Sequence, residues 1–421
     1  MHILFISDNF PPEVNAPASR TFEHCREWVK AGHEVTVVTG APNFPAGKVY
    51  PGYRNRLYQT ETMEGIRVVR VWTYITANAG VIRRILDYVS FMCSAIVVAP
   101  FIRKVDLIVA TSPQFFSPCA AYVISLFKRV PYIFELRDFW PESIEAVGAM
   151  RESPALRLLE RLELFLYRKA ARIVVVSPAF KTRLIERGID GGKVDVVTNG
   201  VDLSNFGPTP RDEPLAKSLN LSGCFVAGYI GTHGLAHGLE TLLDAVEMLQ
   251  AMPEADDVRI LFLGDGARKA QLIESAGSRG LHNVVFQDSV PKSEVRHYWS
   301  LLDVSIIHLR KTELFGLVIP SKLFECMGMG IPVLHGVAGE SAGIVETENV
   351  GMVFEPENAR QLVEGLLKLR ADRGLYQTYR ANCLTAARKY DRKTLAYKMQ
   401  ALLEGVVASK CSPSAWFDDS S

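Results

Sequence analysis

Residues 224–243, CFVAGYIGTHGLAHGLETLL, decide the fold of this chain. They begin with an apolar run, pass through a glycine-rich turn and continue with apolar residues at helical spacing, a pattern typical of a β-strand followed by an α-helix. The apolar run lacks polar alternation, so we expect a strand that is buried on both faces, as in a parallel sheet covered by helices.

Similar units extend in both directions from this stretch. Towards the N-terminus the apolar runs are HILFIS (2–7), HEVTVVT (33–39), IRVVRVW (66–72), DLIVAT (106–111), YIFEL (132–136) and RIVVVS (172–177). Towards the C-terminus they are RILFLGDG (259–266), NVVFQDSV (283–290), VSIIHL (304–309), IPVLHG (331–336) and GMVFE (351–355). Because 421 residues exceed the roughly 250–300 that one core supports, we predict an α/β protein with two Rossmann-like domains.

The alternation of strands and helices pauses between residues 202 and 222, where proline, glycine and charged residues predict an interdomain linker. We therefore expect an N-terminal domain at 1–203 and a C-terminal domain at 204–385. Helical spacing without strand character predicts a helix at 386–408, packed back on the N-terminal domain. The last residues, 409–421, are expected to form a disordered tail.

The composition narrows the class of function. It is 48% hydrophobic and 22% charged with a net charge of +1, which is ordinary for a folded protein and does not favour a nucleic-acid partner. The 7 cysteines form no CxxC pair and the N-terminus lacks the pattern of a signal peptide, so we expect a cytoplasmic protein. The absence of GxGxxG after the first strand and of GxxxxGK[ST] disfavours nicotinamide and P-loop nucleotide enzymes.

Glycine-rich or polar turns follow three strands of the second half, and strand ends of one parallel sheet should meet at one crevice. Free backbone N–H groups and a helix N-terminus in such turns suit a diphosphate. The candidate ligand-binding residues there are Gly231, His233, His237, Gly264, Arg268, Ser289 and Val290. Ordinary tight turns with surface histidines are the alternative.

Residues 313–333, ELFGLVIPSKLFECMGMGIPV, predict a loop and then a short helix that begins near Pro320. Lys322 in the first turn opposes the helix dipole, and a bound anion would remove that conflict. Glu325 lies one turn further on, and its two carboxylate oxygens suit the two hydroxyls of a ribose. A solvated pair of Lys322 and Glu325 is the alternative.

Together these segments resemble the family-4 retaining glycosyltransferases of the GT-B fold over nearly the whole chain. The matching segments are PPEVNAPASR (11–20), GHEVTVVT (32–39), VVVSPAFKTRLIERG (174–188), VVTNGVDLSNF (196–206), YIGTHGLAHGLETLL (229–243), LFLGDG (261–266), ELFGL (313–317) and LFECMGMGIPV (323–333). Three segments resemble the O-antigen and capsule branch that includes L-fucosamine transferases: RDFWPES (137–143), GTHGLAHGL (231–239) and IPSKLFE (319–325).

The resemblance implies roles for the residues between 313 and 325. Glu325 matches the glutamate on the donor ribose, and Glu313 matches the one on the transferred sugar. The backbone expected at the sugar and phosphates comes from Phe315, Gly316 and Leu317, and the donor set also includes Leu323. The spacing departs from the family, because the 11 residues between Glu313 and Glu325 are about one helical turn more than the commonest pattern. Either Glu325 keeps its orientation, or Leu317 takes the place of the first glutamate.

Two other departures concern charge. Thr232 and His237 stand where many relatives carry Arg and Lys, so we infer that Lys322, helped by His233 or His237, faces the diphosphate. In the N-terminal half Arg137-Asp138 stands where many relatives have a histidine before the aspartate, which leaves the acid or base of that domain open. The candidate catalytic residues are thus Glu313, Lys322, Arg137 and Asp138.

No apolar strand ends in a DxD motif, and Asp418-Asp419 lies in the tail. We therefore expect no catalytic metal and no cofactor beyond the UDP-sugar donor, as the resemblance also implies. The resemblance further implies retention of configuration, through front-face attack assisted by the departing phosphate.

Residues 85–102, ILDYVSFMCSAIVVAPFI, are almost continuously apolar. The basic residues that bracket them are Arg83, Arg84, Arg103 and Lys104. A membrane span is disfavoured by Asp87 and Pro100, and a buried core helix is a second interpretation. An interfacial helix, with its basic flanks on anionic headgroups, suits a domain that receives a membrane-borne acceptor. We therefore expect a peripheral enzyme on the inner face of the cytoplasmic membrane, attached through 81–104.

These observations predict a metal-independent retaining transferase. It would move an N-acetylated amino or deoxyamino hexose from a UDP-sugar to a polyprenyl-diphosphate-linked saccharide in surface polysaccharide synthesis. A GT-B-like sugar-nucleotide epimerase is one alternative, although it has no need of the apolar segment. A non-catalytic GT-B partner subunit is another, although it has no need of Glu313, Lys322 and Glu325.

Overall fold

The computed structural model describes residues 1–13, 15–44, 47–76, 81–112, 114–139 and 154–410. Residues 411–421, which hold most of the predicted tail together with Asp418-Asp419, lie outside that part of the chain. The fold divides into two compact units. The first comprises Met1–Thr198 and the chain from Arg392 onward, and the second comprises Asn199–Asp391.

The first unit is built on a sheet that has eight strands in the described part of the chain. The strands are β1 (His2–Ile6), β2 (Glu34–Thr39), β3 (Tyr58–Met63), β4 (Ile66–Val71), β5 (Leu107–Thr111), β6 (Tyr132–Leu136), β7 (Arg172–Val175) and β8 (Val194–Val196). Their order is β3-β4-β2-β1-β5-β6-β7-β8, and β3 pairs antiparallel with β4 whereas the other pairs are parallel. Every residue of β1, β5 and β6 is buried, as their unbroken apolar runs predict.

Helices cover this sheet. They are α1 (Ala16–Lys30), α2 (Val81–Val98), α3 (Phe116–Lys128), α4 (Pro154–Lys169), α5 (Pro178–Glu186) and, from the end of the chain, α14 (Arg392–Lys410). The sequence fixes where α1 and α5 begin, because a side-chain oxygen caps each N-terminus and a proline follows. Asn15 accepts a hydrogen bond from the backbone N–H of Ala18 at 2.9 Å, and Ser177 accepts one from Phe180 at 3.2 Å.

The last helix, α14, belongs to the first unit and packs on α1. The indole N–H of Trp28 donates to the carbonyl of Ala396 at 2.9 Å, and Arg392 forms a buried ion pair with Glu23. The apolar residues that α14 buries are Leu395, Ala396, Met399, Leu403 and Val406. The predicted helix at 386–408 thus starts too early, because residues 386–391 lie in the second unit.

The second unit contains a parallel sheet with six strands in the described part of the chain. The strands are β9 (Phe225–Ile230), β10 (Val258–Leu263), β11 (Val284–Gln287), β12 (Val304–His308), β13 (Val333–Gly336) and β14 (Gly351–Val353), in the order β11-β10-β9-β12-β13-β14. The helices are α6 (Glu213–Ser218), α7 (Glu240–Gln250), α8 (Lys269–Ser278), α9 (Lys292–Trp299), α10 (Lys322–Met329), α11 (Glu340–Glu348), α12 (Ala359–Ala371) and α13 (Arg373–Ala387).

The sheet of the second unit is buried on both faces. Val226 and Leu261 belong to one hydrophobic core, whereas their strand neighbours Ala227 and Phe262 belong to another. Successive side chains of a strand point to opposite faces, so each strand needs apolar residues at every position. This requirement explains why the strand sequences lack polar alternation.

The segment at 202–222 is folded into the second unit rather than exposed as a linker. Phe206, Ala216 and Leu221 are buried in its core, and Asp212 caps α6 by accepting a hydrogen bond from Leu215 at 3.1 Å. The chain enters the second unit at Asn199, a few residues before the predicted boundary at 203. Its proline and glycine residues therefore shape turns around a short capped helix.

Candidate active site

The glycine-rich turns of the second unit come together where the strand order reverses. β9 lies between β10 and β12, and ligands of doubly wound sheets bind beyond the carboxyl ends of the strands at such a point. Gly264 follows β10 with a φ of +148°, and a Cβ there would lie 1.9 Å from the carbonyl oxygen of Gly231 after β9. Only glycine permits this contact, which joins the two predicted turns.

Lys322 extends from the start of α10 to the same place. Its ammonium nitrogen lies 3.8 Å from the centre of the Tyr229 ring, and a Cβ on Gly231 would come within 2.8 Å of it. No carboxylate of the described residues lies within ion-pair distance of this nitrogen. Lys322 therefore does not form the solvated pair with Glu325 that was the alternative interpretation.

The environment of Lys322 makes its charge costly in the absence of an anion. Burial lowers the pKa of Lys322 to about 8, although the thiol of Cys326 and the carboxyl of Glu325 oppose this effect. The Tyr229 ring offers a cation–π contact but no countercharge. A bound phosphate would supply one at the N-terminus of a helix, which itself favours anions.

Two imidazoles lie in the same turn, His233 and the half-buried His237. His233 is fully buried, and neither of its ring nitrogens has a hydrogen-bond partner among the described residues; the same holds for Nδ1 of His237. Burial, with a contribution from Lys322, lowers the pKa of His233 to about 4 and that of His237 to about 3. Both rings are neutral at pH 7, so Lys322 carries the positive charge of this cluster.

Arg268 and Lys269, at the start of α8, are engaged with protein groups. Arg268 pairs with Glu240, its Nε lying 3.1 Å from the carboxylate, and this contact joins α8 to α7. The Lys269 ammonium donates to the carbonyls of Gly264 at 2.9 Å and Gln287 at 3.0 Å. Lys269 thus ties the end of β10 to the end of β11. Neither Lys269 nor Tyr229 was among the site residues predicted from the sequence.

The remaining predicted residues lie on neighbouring loops of the second unit. Phe315–Leu317 forms a single 3₁₀ turn, and a Cβ on Gly339 would lie 2.2 Å from the carbonyl oxygen of Gly316, so this loop packs on the segment after β13. Glu313 is exposed, Leu317 is half-buried, and Glu325 is half-buried on α10. After β11, Ser289 is exposed and Val290 is half-buried, whereas Leu323 is fully buried in the core.

Arg137 and Asp138 belong to the first unit, directly after β6. Both backbone N–H groups donate to the hydroxyl of Ser112, at 2.7 Å and 3.2 Å respectively. Burial lowers the pKa of Arg137 to about 9, and Arg20 adds to this effect. The rest of the RDFWPES motif after Phe139 lies outside the described residues. Within the described ranges no group of three or more His, Cys, Asp or Glu side chains could hold a metal ion.

Comparisons with known proteins agree with this architecture. Residues 15–200 match the glycosyl transferase 4-like domain, and residues 212–390 match the glycosyl transferases group 1 family. Over 381 residues, or 87% of this chain and 91% of the relative, the chain is 25% identical to the "Putative colanic acid biosynthesis glycosyl transferase WcaI" of Escherichia coli (strain K12).

Solved structures show the same fold at low sequence identity. A sucrose-phosphate synthase from Thermosynechococcus elongatus superposes with a TM-score of 0.76 at 17% identity, covering 97% of this chain and 99% of its own. Anabaena Alr3699/HepE in complex with UDP and glucose gives a TM-score of 0.72 at 18% identity, covering 96% and 99%. The fold is GT-B, with two Rossmann-like α/β domains. The chain belongs to the family 4/group 1 glycosyltransferases.

Proposed function

We propose that this protein is a retaining transferase that moves a sugar from a UDP-sugar to a polyprenyl-diphosphate-linked saccharide in surface polysaccharide synthesis. The observation that carries the proposal is Lys322, an enclosed ammonium at a helix N-terminus with no carboxylate partner among the described residues. The similarity to the E. coli colanic acid biosynthesis glycosyl transferase supports the polysaccharide context, and the UDP in the Anabaena structure supports the donor class. We place the transferred sugar among N-acetylated amino or deoxyamino hexoses, in line with the resemblance to L-fucosamine transferases.

The proposed reaction breaks the bond between the anomeric carbon and the β-phosphate oxygen of the donor. The acceptor hydroxyl oxygen bonds to that carbon on the same face, and its proton passes to the departing phosphate. Lys322 stabilises the negative charge that develops on UDP, because a preorganised cation favours the transition state over the ground state. Glu325 accepts hydrogen bonds from the ribose, and Glu313 contacts the transferred sugar.

The decisive experiment is an assay of UDP release from a panel of UDP-sugars, with GDP-mannose as a control donor. Each donor is tested with and without polyprenyl-linked saccharides extracted from membranes. We expect release that depends on the lipid extract and on one UDP-sugar. Release that is equal without the extract would favour an epimerase or a hydrolase, and no release at all would contradict the transferase proposal.

Donor binding should depend on pH through Lys322. The pKa of free Lys322 is about 8, and only the protonated form attracts the diphosphate. The affinity for UDP should therefore fall roughly tenfold per pH unit above that value. Calorimetry between pH 7 and pH 9.5 measures this slope. An affinity that stays constant over the range would show that Lys322 does not face the phosphates.

Replacement of Glu325 by Ala should weaken UDP binding by about 1.5–3 kcal/mol, because a charged hydrogen-bond acceptor for the ribose is lost. Calorimetry with UDP checks the value, and the same measurement with inorganic diphosphate should show no change. A matched control is Glu346→Ala, on the exposed surface of α11. Equal losses for UDP and diphosphate would argue against a ribose contact.

Chelation with EDTA should leave the transfer rate unchanged, because Lys322 supplies the positive charge at the leaving group. The assay compares initial rates before and after dialysis against EDTA. Loss of activity that returns with added manganese would contradict a metal-independent mechanism.

We also propose that the protein is peripheral on the inner face of the cytoplasmic membrane and attaches through 81–104. By length and composition, Arg83–Phe101 qualifies as a membrane-spanning segment, and 22% of it is buried in the fold. A helix in the core of a protein would have a much larger share of its residues buried. Its inner face, with Phe91, Ala95 and Val98, packs into the first unit, whereas Leu86 and Val97 are exposed.

The structure adds a second helix to this surface. Phe101, just after α2, is 70% exposed, and Phe127 at the end of α3 is 77% exposed. The end of α3 contacts the chain just after α2, because the Lys128 ammonium donates to the carbonyl of Ile102 at 2.6 Å. We define the α2–α3 patch as the exposed residues Val97, Phe101, Leu126 and Phe127. Exposed basic residues border it, namely Arg103, Lys104 and Arg129, which is the arrangement expected for anionic lipid.

A further inference from the structure

The sheet of the first unit ends at β3, and the outer edge of this strand has no backbone partner in the described part of the chain. β3 stands last in the strand order, next to β4. Among the described residues its backbone hydrogen bonds go to β4 alone. Such an edge carries a row of N–H and C=O groups that can pair with another strand.

β3 lacks the features with which proteins usually protect an edge strand. Its sequence, YQTETM, contains no lysine and no proline, and it pairs with β4 at all 6 positions without a bulge. Its one charged residue, Glu61, forms an ion pair with the buried Arg70 of β4. On the other face Tyr58, Thr60 and Thr62 are exposed, so the strand is uncovered there. The edge is therefore open to a second strand.

The two ends of β3 are complementary to each other. Arg56 precedes the strand and Glu64 follows it, and both side chains are exposed. Beside Arg56, Leu57 is 79% exposed, and beside Glu64, Met63 is half-buried. In an antiparallel pair of identical strands, each end of one strand lies next to the opposite end of the other. A second copy of β3 would therefore bring arginine to glutamate and leucine to methionine.

The hydrogen-bonding pattern restricts how two copies of β3 can pair. Successive residues of an antiparallel strand direct their N–H and C=O groups alternately to one neighbouring strand and to the other. Residues that point away from β4 must meet residues of the second copy that also point away from it. The two-fold axis of such a pair then passes through a residue of β3 rather than between two residues.

Thr60 is the residue of β3 at which the axis satisfies both ends. With the axis there, arginine meets glutamate and leucine meets methionine in the pairs described above. An axis at Gln59 would place the apolar Leu57 against the carboxylate of Glu61. An axis at Glu61 would place the two Glu61 carboxylates directly opposite each other, which is unfavourable.

We propose that the chain forms a symmetric dimer in which β3 pairs antiparallel with β3 of a second copy, with Thr60 at the two-fold axis. The two sheets then form one continuous sheet, and an ion pair between Arg56 and Glu64 lies at each end of the contact. The contact is short, so we expect a Kd on the order of 10 μM. At submicromolar concentrations the chain is then a monomer, so that donor binding and vesicle binding measured there do not depend on the dimer.

The test is sedimentation velocity of the full-length protein, at concentrations from roughly tenfold below to roughly tenfold above this Kd. Thr60→Lys places two like charges opposite each other at the axis, and its side chain is exposed, so the fold should be retained. Arg56→Glu places like charges at each end, whereas Arg56→Glu combined with Glu64→Arg restores opposite charges. The matched control is Thr182→Lys, exposed on α5 of the same unit. Circular dichroism checks that each variant is folded.

We expect the wild-type protein and Thr182→Lys to dimerise as the concentration rises. Thr60→Lys should sediment as a monomer throughout. Arg56→Glu should raise the Kd severalfold, and the double charge reversal should return it to near the wild-type value.

The proposal is overturned if the wild-type protein stays a monomer over the whole range, because the edge of β3 then does not pair with itself. A dimer that survives Thr60→Lys would also overturn it, since another surface would form the contact. If the double charge reversal fails to restore the affinity lost in Arg56→Glu, then the pairing with Thr60 at the axis is wrong.

Discussion

Replacement of Lys322 by Met is expected to weaken UDP binding at pH 7 by about 3–5 kcal/mol, or roughly a hundredfold or more in Kd. The substitution leaves the diphosphate in an enclosed site without its cation. Neither His233 nor His237 can compensate, because burial keeps both imidazoles neutral at this pH. Calorimetry with UDP measures the loss.

The same substitution should not destabilise the ligand-free protein. Burial lowers the pKa of Lys322, which means that the folded state disfavours the charged form that the unfolded chain carries. The free energy of unfolding of the wild-type protein should therefore rise as the pH increases from about 8 towards the ordinary value for lysine. Met fits the apolar surroundings at every pH, so Lys322→Met should remove this pH dependence.

Lys217→Met is the matched control, since Lys217 is exposed on α6 of the same unit. It should change neither UDP affinity nor stability. A Lys322→Met protein that binds UDP as tightly as the wild type would contradict the placement of the diphosphate. A variant that unfolds would show instead that the ammonium is needed to stabilise the turn after β9.

Much of the fold follows from the strand sequences. The runs that become β1, β5, β6, β9 and β10 are apolar at nearly every position, because helices cover both sides of each sheet. The edge strand β3, YQTETM, alternates between exposed and half-buried residues and carries no such run, so it was not predicted. The short strand β8, VDV, was not predicted either, because it too is only partly buried.

The predicted domain boundaries differ from the observed units because composition reports turns rather than contacts. Residues 202–222 contain the prolines and glycines of a linker, yet Phe206 and Leu221 are fixed in the core of the second unit. A sequence pattern does not show which core receives an isolated apolar residue. The position of α14 follows from long-range contacts, such as the hydrogen bond from Trp28 to Ala396.

In the candidate site, too, features set by neighbouring residues were predicted, whereas contacts between residues far apart in the chain were not. The glycines of the turn after β9 and the helix start at Lys322 were visible as local patterns. The contact between Lys322 and Tyr229 joins positions far apart in the chain, and the pairing of Arg268 with Glu240 depends on how α7 and α8 pack. The cavity of the first unit that Asp8, Glu13 and Asp87 line was not predicted, because these residues come from separate elements that only the sheet brings together.

The second large effect concerns the membrane. Replacing Arg83, Arg103 and Lys104 together by Gln should weaken binding to anionic vesicles by about 3 kcal/mol at low salt, at about 1 kcal/mol for each basic residue. Arg84 is left unchanged although it also flanks the apolar segment, because it lines a cavity of the first unit together with Asp87 and donates to the hydroxyl of Tyr88 at 3.2 Å. The fold should be unaffected, since all three replaced side chains are exposed.

The apolar part of the attachment needs separate variants. Phe91 is fully buried, so its replacement by Ser would disturb the core rather than the surface. Phe101→Ser and Phe127→Ser change rings that are 70% and 77% exposed. We expect this pair to weaken binding to anionic and to zwitterionic vesicles alike, whereas the loss from the triple charge variant should be confined to anionic vesicles and should vanish at high salt.

Flotation of the full-length protein with vesicles of either composition measures both effects. The matched control removes three exposed basic residues from the edge of β3 and β4 in the same unit, Arg54, Arg56 and Arg67. It should float as the wild type does, because its charges lie outside the α2–α3 patch. If the control loses as much binding as the triple variant, then the attraction depends on total charge and not on this surface. If the wild-type protein does not float with anionic vesicles even at low salt, then α2 is a helix of the N-terminal core with no part in attachment.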